Sequence, residues 1–360
     1  MADLLMVYID RNDIKISLDH NVLRIKSPGS NVKNVPLGMI GQIIINADIE
    51  ISTSIFAELL DRNINIIFFS GFGRNRIPAW IGPGLSTSVM IRLQQYELFA
   101  DNNLRLAIAK WIIEYKLKNQ TALLDKIKLL IDEPVVHIFK KGLDKNYLIN
   151  LLEKTKQQIY DSLNNLDKSD TNDSLMGYEG VAASAWFNFI SEAINESWGF
   201  KGRNKRPPKD PLNALFSLTY TIAMTELKTT VHERGLDPCI GFLHSPKPGR
   251  ESLVLDLLEP LRPGADAFII DILDNNMLKP EHFSYNKKYG CRLDKSGRSI
   301  YYTSWADWRL NWPEWNNKNN NSESEILKDS IISDVNYNGL RTCCRKLIEE
   351  LIAFWSSISK

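Results

Sequence analysis

The sequence is poor in cysteine and has no long apolar segment, and these absences exclude several classes of protein. Its 360 residues contain four cysteines and no CxxC pair: Cys239, Cys291, Cys343 and Cys344. This number is too small for a disulfide scaffold and is typical of the reducing cytoplasm. No apolar run reaches the roughly 18 residues that span a bilayer, and the start MADLLMVYID lacks the basic region of a signal peptide. We therefore expect a cytoplasmic protein that does not associate with membranes.

The sequence also lacks an excess of charge of either sign. Its 44 lysines and arginines balance 43 aspartates and glutamates, so the formal net charge is +1. A nucleic-acid-binding surface would therefore have to come from local clustering of basic residues. The hydrophobic content of 44% is ordinary for a globular protein, and the length suffices for two domains, each with its own core.

The N-terminal part of the chain has the pattern of a small β-rich domain. We expect strands at five segments rich in β-branched residues, LLMVYID, DIKISL, NVLRIK, GQIIIN and INIIFFS, and one helix at STSIFAELLDRN. Residues 1–85 carry eight basic and eight acidic side chains, a balance that favours packing or dimerisation over DNA binding. The segment IPAWIGPGLS at 77–86 has the prolines and glycines of a linker. We accordingly place a β-rich dimerisation domain at 1–80.

The remainder, 81–360, has the pattern of an α-helical catalytic domain. Apolar residues recur at spacings of three and four in SVMIRLQQYELFADNNLRLAIAKWIIEYKL. Further helices are expected near 144–166, 178–195, 211–234, 249–261 and 326–356. The segment KKYGCRLDKSGRSIYYTSW predicts a hairpin that turns at DKSG. The predicted fold class is therefore α+β, a small N-terminal β-rich domain followed by a larger all-α catalytic domain.

Three acids and a histidine stand in unusual surroundings. In GFLHSPKPGRESLVLDLLEP, Asp256 and Glu259 share one helix face among leucines, and His244 precedes them across a turn. A carboxylate at the edge of a core is costly unless a cation or hydrogen bonds compensate it. Glu179 lies in GYEGVAASAWF, where small neighbours would allow another element to approach closely.

Glu179, His244 and Glu259 come from three separate elements and form an incomplete ligand set for Mg²⁺ or Mn²⁺. Removing one carboxylate from such an acidic cluster, as in Glu179→Gln, should leave metal-free stability unchanged or slightly higher. The residues alone leave other interpretations open. His244 could be a hydrogen-bonded turn histidine, Glu179 could lie near a helix start that favours acids, and Asp256 could be a surface acid, as could Glu259.

A basic loop separates the Glu179 segment from the His244 segment. Within GFKGRNKRPPKDPLNALFSLTY, the stretch 201–209 has no acid and five basic residues: Lys201, Arg203, Lys205, Arg206 and Lys209. A solvated loop is one interpretation. Contact with a phosphate backbone is the other, and it assigns that role to Arg203, Lys205 and Arg206, with Arg250 as a further candidate. Asp210 should cap the next helix, and Pro211 should take its first position.

The strings YEGVAASAWF, GRNKRPPKDPLNALFSLTY and GLDPCIGFLHSPKPGRESLVLDLLEPLRP together resemble the CRISPR-associated Cas1 family, the integrases of spacer acquisition. The resemblance implies an N-terminal β-domain that forms a homodimer and a C-terminal helical domain. It also implies a divalent metal, Mg²⁺ or Mn²⁺, held by Glu179, His244 and Glu259. Many relatives have aspartate in the place of Glu259. Asp256 matches a further family acid, which would support the metal ligands from behind.

The function implied by the resemblance is metal-dependent DNA integration. A 3′-hydroxyl of a short double-stranded DNA fragment would attack a phosphodiester at the edge of a repeat, and the same site would act as a DNA endonuclease. Two such dimers would flank a dimer of the Cas2 protein. Two other hypotheses remain open, a non-catalytic DNA-binding scaffold of the adaptation complex and a metal-dependent nuclease without integration.

Overall fold

The computed structural model describes residues 5–62, 64–68, 79–82, 88–133, 136–204, 207–314 and 336–358. The chain divides into two compact units. One comprises Met1–Val89 with His232–Leu236, and the other comprises Met90–Val231 with Asp237–Lys360. The first unit is rich in strands and the second is mainly helical, so the predicted fold class is confirmed. Most of the predicted linker lies outside the described residues.

Two sheets build the first unit. The first has the strand order β1-β5-β6-β7, with parallel pairing except between the last two strands: β1 Leu5–Ile9, β5 Ile40–Ile45, β6 Asn65–Phe68 and β7 Ala79–Ile81. The second is antiparallel: β2 Lys15–Asp19, β3 Val22–Lys26 and β4 Lys33–Pro36. All five predicted strands are present. β4 was not predicted, and β7 lies inside the predicted linker.

The core of the first unit is built from alternate residues of its strands. Ile43, Ile45 and Ile66 are buried together with Leu23 from the second sheet. Helix α1, Thr53–Asp61, covers this core and lies within the predicted segment STSIFAELLDRN. Because successive strand residues point to opposite faces, this pattern fixes which side of the first sheet the helix covers.

The described helices that follow α1 belong mainly to the second unit. They are α2 Val89–Ala100, α3 Asn102–Ile131, α4 Lys145–Asn164, α5 Asn172–Ala193, α6 Pro211–Glu233, α7 Ser252–Asp274, α8 Lys295–Trp308 and α9 Leu340–Ile358. Helix α3 is buried along much of its length and packs against α4, α5 and α7. None of the helices in the described ranges combines the length and the apolar character needed to cross a membrane.

The predicted hairpin around DKSG is wrong in position. The strands that pair are β8, Phe283–Asn286, and β9, Gly290–Leu293, and the segment that follows them is helix α8. Asp294 starts α8, because its carboxylate accepts the backbone N–H of Gly297 at 2.7 Å. A further short pair joins β10, Trp312–Glu314, to β11, Asn336–Asn338. The larger unit is therefore not purely helical.

Among the helix boundaries that differ from prediction, two affect the candidate site. Helix α5 begins six residues before the predicted 178, because Thr171 caps it by accepting the backbone N–H of Ser174 at 3.2 Å. Glu179 therefore lies inside the helix rather than near its start. Helix α7 continues well beyond the predicted end at 261, through Pro260 and Pro263. Asp256 and Glu259 consequently lie in the first half of a long, buried helix.

Candidate active site

The carboxylate of Asp256 organises the turn that carries His244. One oxygen, Oδ2, accepts the backbone N–H groups of Phe242 at 2.6 Å and Leu243 at 2.9 Å, and Oδ1 accepts that of His244 at 2.9 Å. A Cβ on Gly241 would lie 2.6 Å from Oδ2, so the turn can approach the acid only with glycine there. The buried acid is thus surrounded by backbone donors, which compensates its desolvation.

The same carboxylate fixes the imidazole of His244. The Nδ1 atom lies 2.7 Å from Oδ1 of Asp256. Because both carboxylate oxygens accept backbone N–H groups, Nδ1 is the atom that carries the proton and donates it. In the neutral ring, the lone pair is then on Nε2. Burial raises the pKa of Asp256, and its bonds to His244 lower it in part. A carboxylate behind the ring is the usual support of a metal-binding histidine.

Glu179 and Glu259 meet at a third residue, Lys116 of helix α3. The Nζ atom of Lys116 lies 2.7 Å from Oε2 of Glu259 and also contacts Oε1 of Glu179. Lys116 and Glu259 are buried, whereas the Glu179 side chain is 21% exposed. The structure therefore brings together the carboxylates of Glu179 and Glu259, which we predicted from the sequence as metal ligands. Both contact one cation, the ammonium group of Lys116.

Arg262 provides a second cation. Its Nη2 atom donates to the other oxygen of Glu259, Oε1, at 3.0 Å. Burial opposes ionisation of Glu259, but Arg262 and Lys116 outweigh it and hold the pKa of this acid at about 2. Burial likewise opposes the charge on Lys116, but Glu259 and Glu179 outweigh it and raise the pKa of the ammonium. Lys116, Glu259 and Arg262 are therefore all charged at neutral pH.

Known proteins resemble this chain over most of its length. The family described as "CRISPR associated protein Cas1" matches residues 7–307. The chain belongs to the Cas1 family. It is 31% identical over 306 residues to CRISPR-associated endonuclease Cas1 1 of Thermodesulfovibrio yellowstonii, which covers 84% of this chain and 90% of that protein.

Two solved structures share the fold of this Cas1 family member. A casposase bound to integration product matches with a TM-score of 0.75 at 20% identity. The match covers 98% of this chain and 91% of the casposase chain. A chain of a Cas6-RT-Cas1–Cas2 complex matches with a TM-score of 0.70 at 18% identity. This match covers 99% of the present chain and 36% of the chain in the complex. At such identities the likeness extends to the fold alone.

Lys116 changes one expectation drawn for this Cas1 family member from the sequence. Glu179→Gln was expected to relieve repulsion between carboxylates, but Lys116 already neutralises that repulsion. The substitution would instead remove one of the two anionic partners of a buried ammonium, so we now expect a small loss of stability. Sequence reasoning missed Lys116, although it follows the buried Ile112 and Ile113 of α3 at helical spacing.

A buried pair lies behind the carboxylates. The hydroxyl of Tyr220 donates to Oδ1 of Asp266 at 2.5 Å, and the Arg262 guanidinium lies 5.0 Å from the centre of the Tyr220 ring. Burial raises the pKa of Asp266 to about 7, although Tyr220 and Arg262 oppose the shift. Arg262 thus links Glu259 to this second layer, which no pattern in the sequence indicates.

The proposed metal ligands do not form a closed site in this structure. Within the described ranges, no three side chains of His, Cys, Asp or Glu stand close enough together to hold a metal ion. The Lys116 ammonium lies between the two carboxylates, and the His244 ring is held on the Asp256 side. The arrangement is one of paired carboxylates and protein cations beside an oriented imidazole.

Two of the predicted phosphate contacts bond within the protein. Arg203 donates from Nη1 to Oδ1 of Asn213 at 2.8 Å, and burial lowers its pKa. Arg250 donates from Nε to Oγ of Ser252 at 3.3 Å and also contacts the carbonyl of Ser245. Lys205 and Arg206 lie outside the described residues. Phosphate contact by all four basic residues stays a prediction.

The start of helix α6 agrees with prediction. The helix begins at Pro211, and the Asp210 carboxylate accepts the backbone N–H of Asn213 at 2.9 Å. Asn213 also holds the basic loop, because its Oδ1 accepts the backbone N–H of Asn204 at 2.9 Å and its Nδ2 donates to the carbonyl of Gly202 at 3.0 Å. The root of the basic loop is therefore fixed to the helix that follows it.

We expect Lys116→Met to lower the free energy of unfolding by about 3 kcal/mol at neutral pH, because it leaves two adjacent carboxylates without their shared cation. Lys118→Met is the matched control on the same helix, since Lys118 is half exposed and pairs with the exposed Glu114. Its cost should stay below about 1 kcal/mol. Denaturant unfolding measures both, and equal costs would contradict the bridging role of Lys116.

Asp266→Asn should flatten the pH dependence of stability. The pKa of Asp266 rises from 3.8 to about 7 on folding. The folded protein thus keeps a proton that the unfolded chain releases, so the stability from this group is full below the unfolded pKa and is lost as pH rises through the folded one. Between these values the free energy of unfolding of the wild type should fall by about 1.4 kcal/mol per pH unit more than that of the variant. Denaturant unfolding across this pH range measures the effect. Equal slopes of unfolding free energy against pH for the wild type and the variant would refute the assignment.

Proposed function

We propose that this protein is a metal-dependent DNA integrase of CRISPR adaptation that also cleaves DNA as an endonuclease. It inserts short DNA fragments into the repeat array by attack of a 3′-hydroxyl on a phosphodiester. Two observations carry the proposal: Glu179 and Glu259 converge on one cation position, and Asp256 orients His244 from the same helix as Glu259. The relative named an endonuclease and the casposase bound to an integration product support it.

The three proposed ligands fit Mg²⁺ or Mn²⁺ by the chemistry of their donors. Two carboxylates and one imidazole nitrogen are ligands that these ions accept, and the carboxylates already share one cation. The proton on Nδ1 of His244 points to Asp256, so Nε2 is the nitrogen that would bind. Once bound, such an ion would act as a Lewis acid on the phosphate oxygens and favour ionisation of the attacking hydroxyl.

The protein's own groups have distinct tasks in this reaction. Asp256 holds the proton on Nδ1 and the orientation of the His244 ring. Arg262 and Lys116 keep Glu259 ionised and fix the direction of its two oxygens. In strand transfer, a bond forms between the fragment's 3′-oxygen and phosphorus while the bond to the repeat's own 3′-oxygen breaks. The proton lost by the attacking hydroxyl is balanced by the one that the departing 3′-oxygen takes up.

We propose double-stranded DNA, both fragment and repeat, and the Cas2 protein as partners. The match to the Cas6-RT-Cas1–Cas2 complex supports Cas2 as a partner. The DNA would meet the basic loop of the second unit, where Lys201 and Lys209 are exposed. A cytoplasmic location, in the compartment that holds the repeat array, is part of the same proposal.

A non-catalytic DNA-binding scaffold is the second candidate, and the Lys116 bridge is the observation that favours it. Buried carboxylates that a lysine and an arginine neutralise satisfy one another without any metal. Under this hypothesis the cluster would hold helices α3, α5 and α7 together and do no chemistry. The two candidates differ in what the ligand variants should lose.

His244→Ala and Glu179→Gln should each reduce the joining of a labelled fragment to repeat DNA by more than about 100-fold, since loss of even an outer-sphere partner commonly costs 10- to 100-fold. Duplex binding should persist in both variants. Joining is measured with Mg²⁺, with Mn²⁺ and with a chelator, beside DNA affinity and thermal melting. Glu192→Gln, on the exposed face of the same helix α5, is the matched control and should join normally.

The scaffold hypothesis expects a different result from the same assays. The wild type would then show no metal-dependent joining, and the variants would lose stability and DNA binding together. Normal joining by Glu179→Gln would contradict the proposed metal site directly.

We also propose that the protein is a homodimer assembled through its first unit. Leu5, on edge strand β1, and Met39 are 39% and 50% exposed, and both are large apolar side chains. Leu5→Lys combined with Met39→Lys should weaken dimerisation about tenfold or more, because lysine on an edge strand opposes pairing with another chain. Sedimentation of the full chain measures this. Met277→Lys, at an exposed apolar position of the second unit, is the control, and a monomeric wild type would refute the proposal.

A further inference from the structure

The backbone of residues 242–244, which form the His244 turn, is held from two sides. These residues belong to no helix or strand, so the shape of the turn depends on side chains that bond its N–H and C=O groups. All three N–H groups donate to Asp256 of helix α7. On the other side, the carbonyl of Phe242 accepts Nδ2 of Asn172 at 2.6 Å. A helix other than α7 therefore also bonds the turn.

Asn172 is the first residue of helix α5 and connects the His244 turn to that helix. Its Nδ2 atom also lies 3.4 Å from the carbonyl oxygen of Leu243. Because a carbonyl oxygen only accepts hydrogen bonds, the amide nitrogen of Asn172 must face the turn. Phe242 and Leu243 are buried, and the amide thus takes the place of water as a donor to their carbonyls.

Asn172 lies on the same face of α5 as Glu179. Glu179 follows it by seven residues, which is about two helical turns and a rise of about 10 Å along the axis. Side chains at this spacing project from one stripe of a helix. The same stripe of α5 therefore contacts the His244 turn at its start and Lys116 two turns later. Through Asn172, the turn is fixed to the helix that carries one of the proposed metal ligands.

Helix α3 is arranged in the same way. The Nε atom of Arg105 donates to the carbonyl of Phe242 at 3.0 Å. Lys116 follows Arg105 by eleven residues, or about three turns, and so lies near the same face of the helix. Helix α7 contributes Asp256 to the turn and Glu259 to the ion pairs. Helices α3, α5 and α7 therefore each contact both the His244 turn and the ion-paired cluster to which Lys116 and Glu259 belong.

We propose that Asn172 is a positioning residue of the metal site, because it fixes the His244 ring relative to the Glu179 carboxylate. Asp256 relates the ring to Glu259, which lies on the same helix α7. Asn172 relates it to Glu179 on α5. Ligands that are held in place before an ion arrives bind it more strongly than ligands that must first be ordered. This inference rests on the proposed metal-dependent function. The alternative is a purely structural role, in which Asn172 only satisfies two buried carbonyls.

Binding of Mn²⁺ to the full-length protein without DNA distinguishes the two roles. Asn172→Ala should weaken this binding about tenfold, because loss of support behind a metal ligand commonly costs about 10- to 100-fold. In a His244→Ala background the same substitution should change the affinity less than about twofold, because no ring remains to be positioned. Electron paramagnetic resonance of free Mn²⁺ gives the affinities, and melting in chelator shows that each variant is folded. Unchanged affinity, or an equal loss in both backgrounds, would overturn the inference.

The His244 ring provides a second readout that needs no metal. Its nitrogen resonances are those that His244→Ala removes from the signals of the five histidines in the chain. In the wild type the ring is bonded to Asp256 and should give one sharp set of signals. In Asn172→Ala these signals should broaden or shift, because the turn is no longer tied to α5, whereas those of the other histidines should not change. Ring signals that match the wild type would contradict the positioning role.

Asn188→Ala is the matched control. Asn188 is an exposed asparagine of the same helix α5. Its removal should leave the Mn²⁺ affinity within about twofold of the wild type and the His244 signals unchanged. A loss equal to that of Asn172→Ala would refute the assignment of the effect to Asn172.

Fragment joining by the same proteins is measured separately, so that the two proposals can be told apart. If the wild type binds no Mn²⁺ and joins no fragments, the proposed function falls, and the ring signals alone decide whether Asn172 holds the His244 turn. If the wild type binds Mn²⁺ and joins fragments but Asn172→Ala matches it in affinity and in ring signals, the positioning role falls and the integrase proposal stands.

Discussion

The ammonium of Lys116 between the carboxylates of Glu179 and Glu259 is the interaction on which the second unit depends. Three helices, α3, α5 and α7, each contribute one of these charges. Helices so closely packed would ordinarily present only apolar side chains to one another, because an unpaired buried charge costs several kcal/mol. Mutual pairing removes that cost, and Arg262 completes it at the second oxygen of Glu259. The helix arrangement and the charge arrangement therefore require each other.

Asp256 and Glu259 of helix α7 are three residues apart and have opposite electrostatic environments. Glu259 faces lysine and arginine, which overcome its burial and lower its pKa, whereas Asp256 faces backbone N–H groups and His244, which only partly offset the rise in pKa that burial causes. One acid thus serves as a permanent anion that can share a cation. The other serves as an acceptor that holds a turn and a ring in place. Environments that shift the pKa values of two neighbouring acids in opposite directions are common in active sites.

The parts of the site that could be predicted from the sequence are residues whose type differs sharply from that of their sequence neighbours. Acids among leucines, and a histidine before a proline-rich turn, drew attention to Glu259, Asp256 and His244, and the structure shows the contacts that such burial needs. Lys116 could not be found in this way, because a lysine on a long helix is usually a solvated residue, and only the packing of α3 buries it. The hairpin was misplaced because Asp294 and the aromatic residues after it suit a helix start as well as a turn, and local sequence cannot weigh the two.

A divalent ion would change the local net charge of the site. Glu179 and Glu259 supply two negative charges, and Lys116 and Arg262 supply two positive ones, so the buried cluster is close to neutral as it stands. A divalent ion added beside these residues would make the local sum positive by about two charges, an unfavourable state in a poorly solvated site. Phosphate groups of DNA are the anions that would restore balance, since each carries one negative charge. Electrostatics of this kind would make a metal ion and DNA bind more strongly together than either would alone, because each would supply the charge that the other needs.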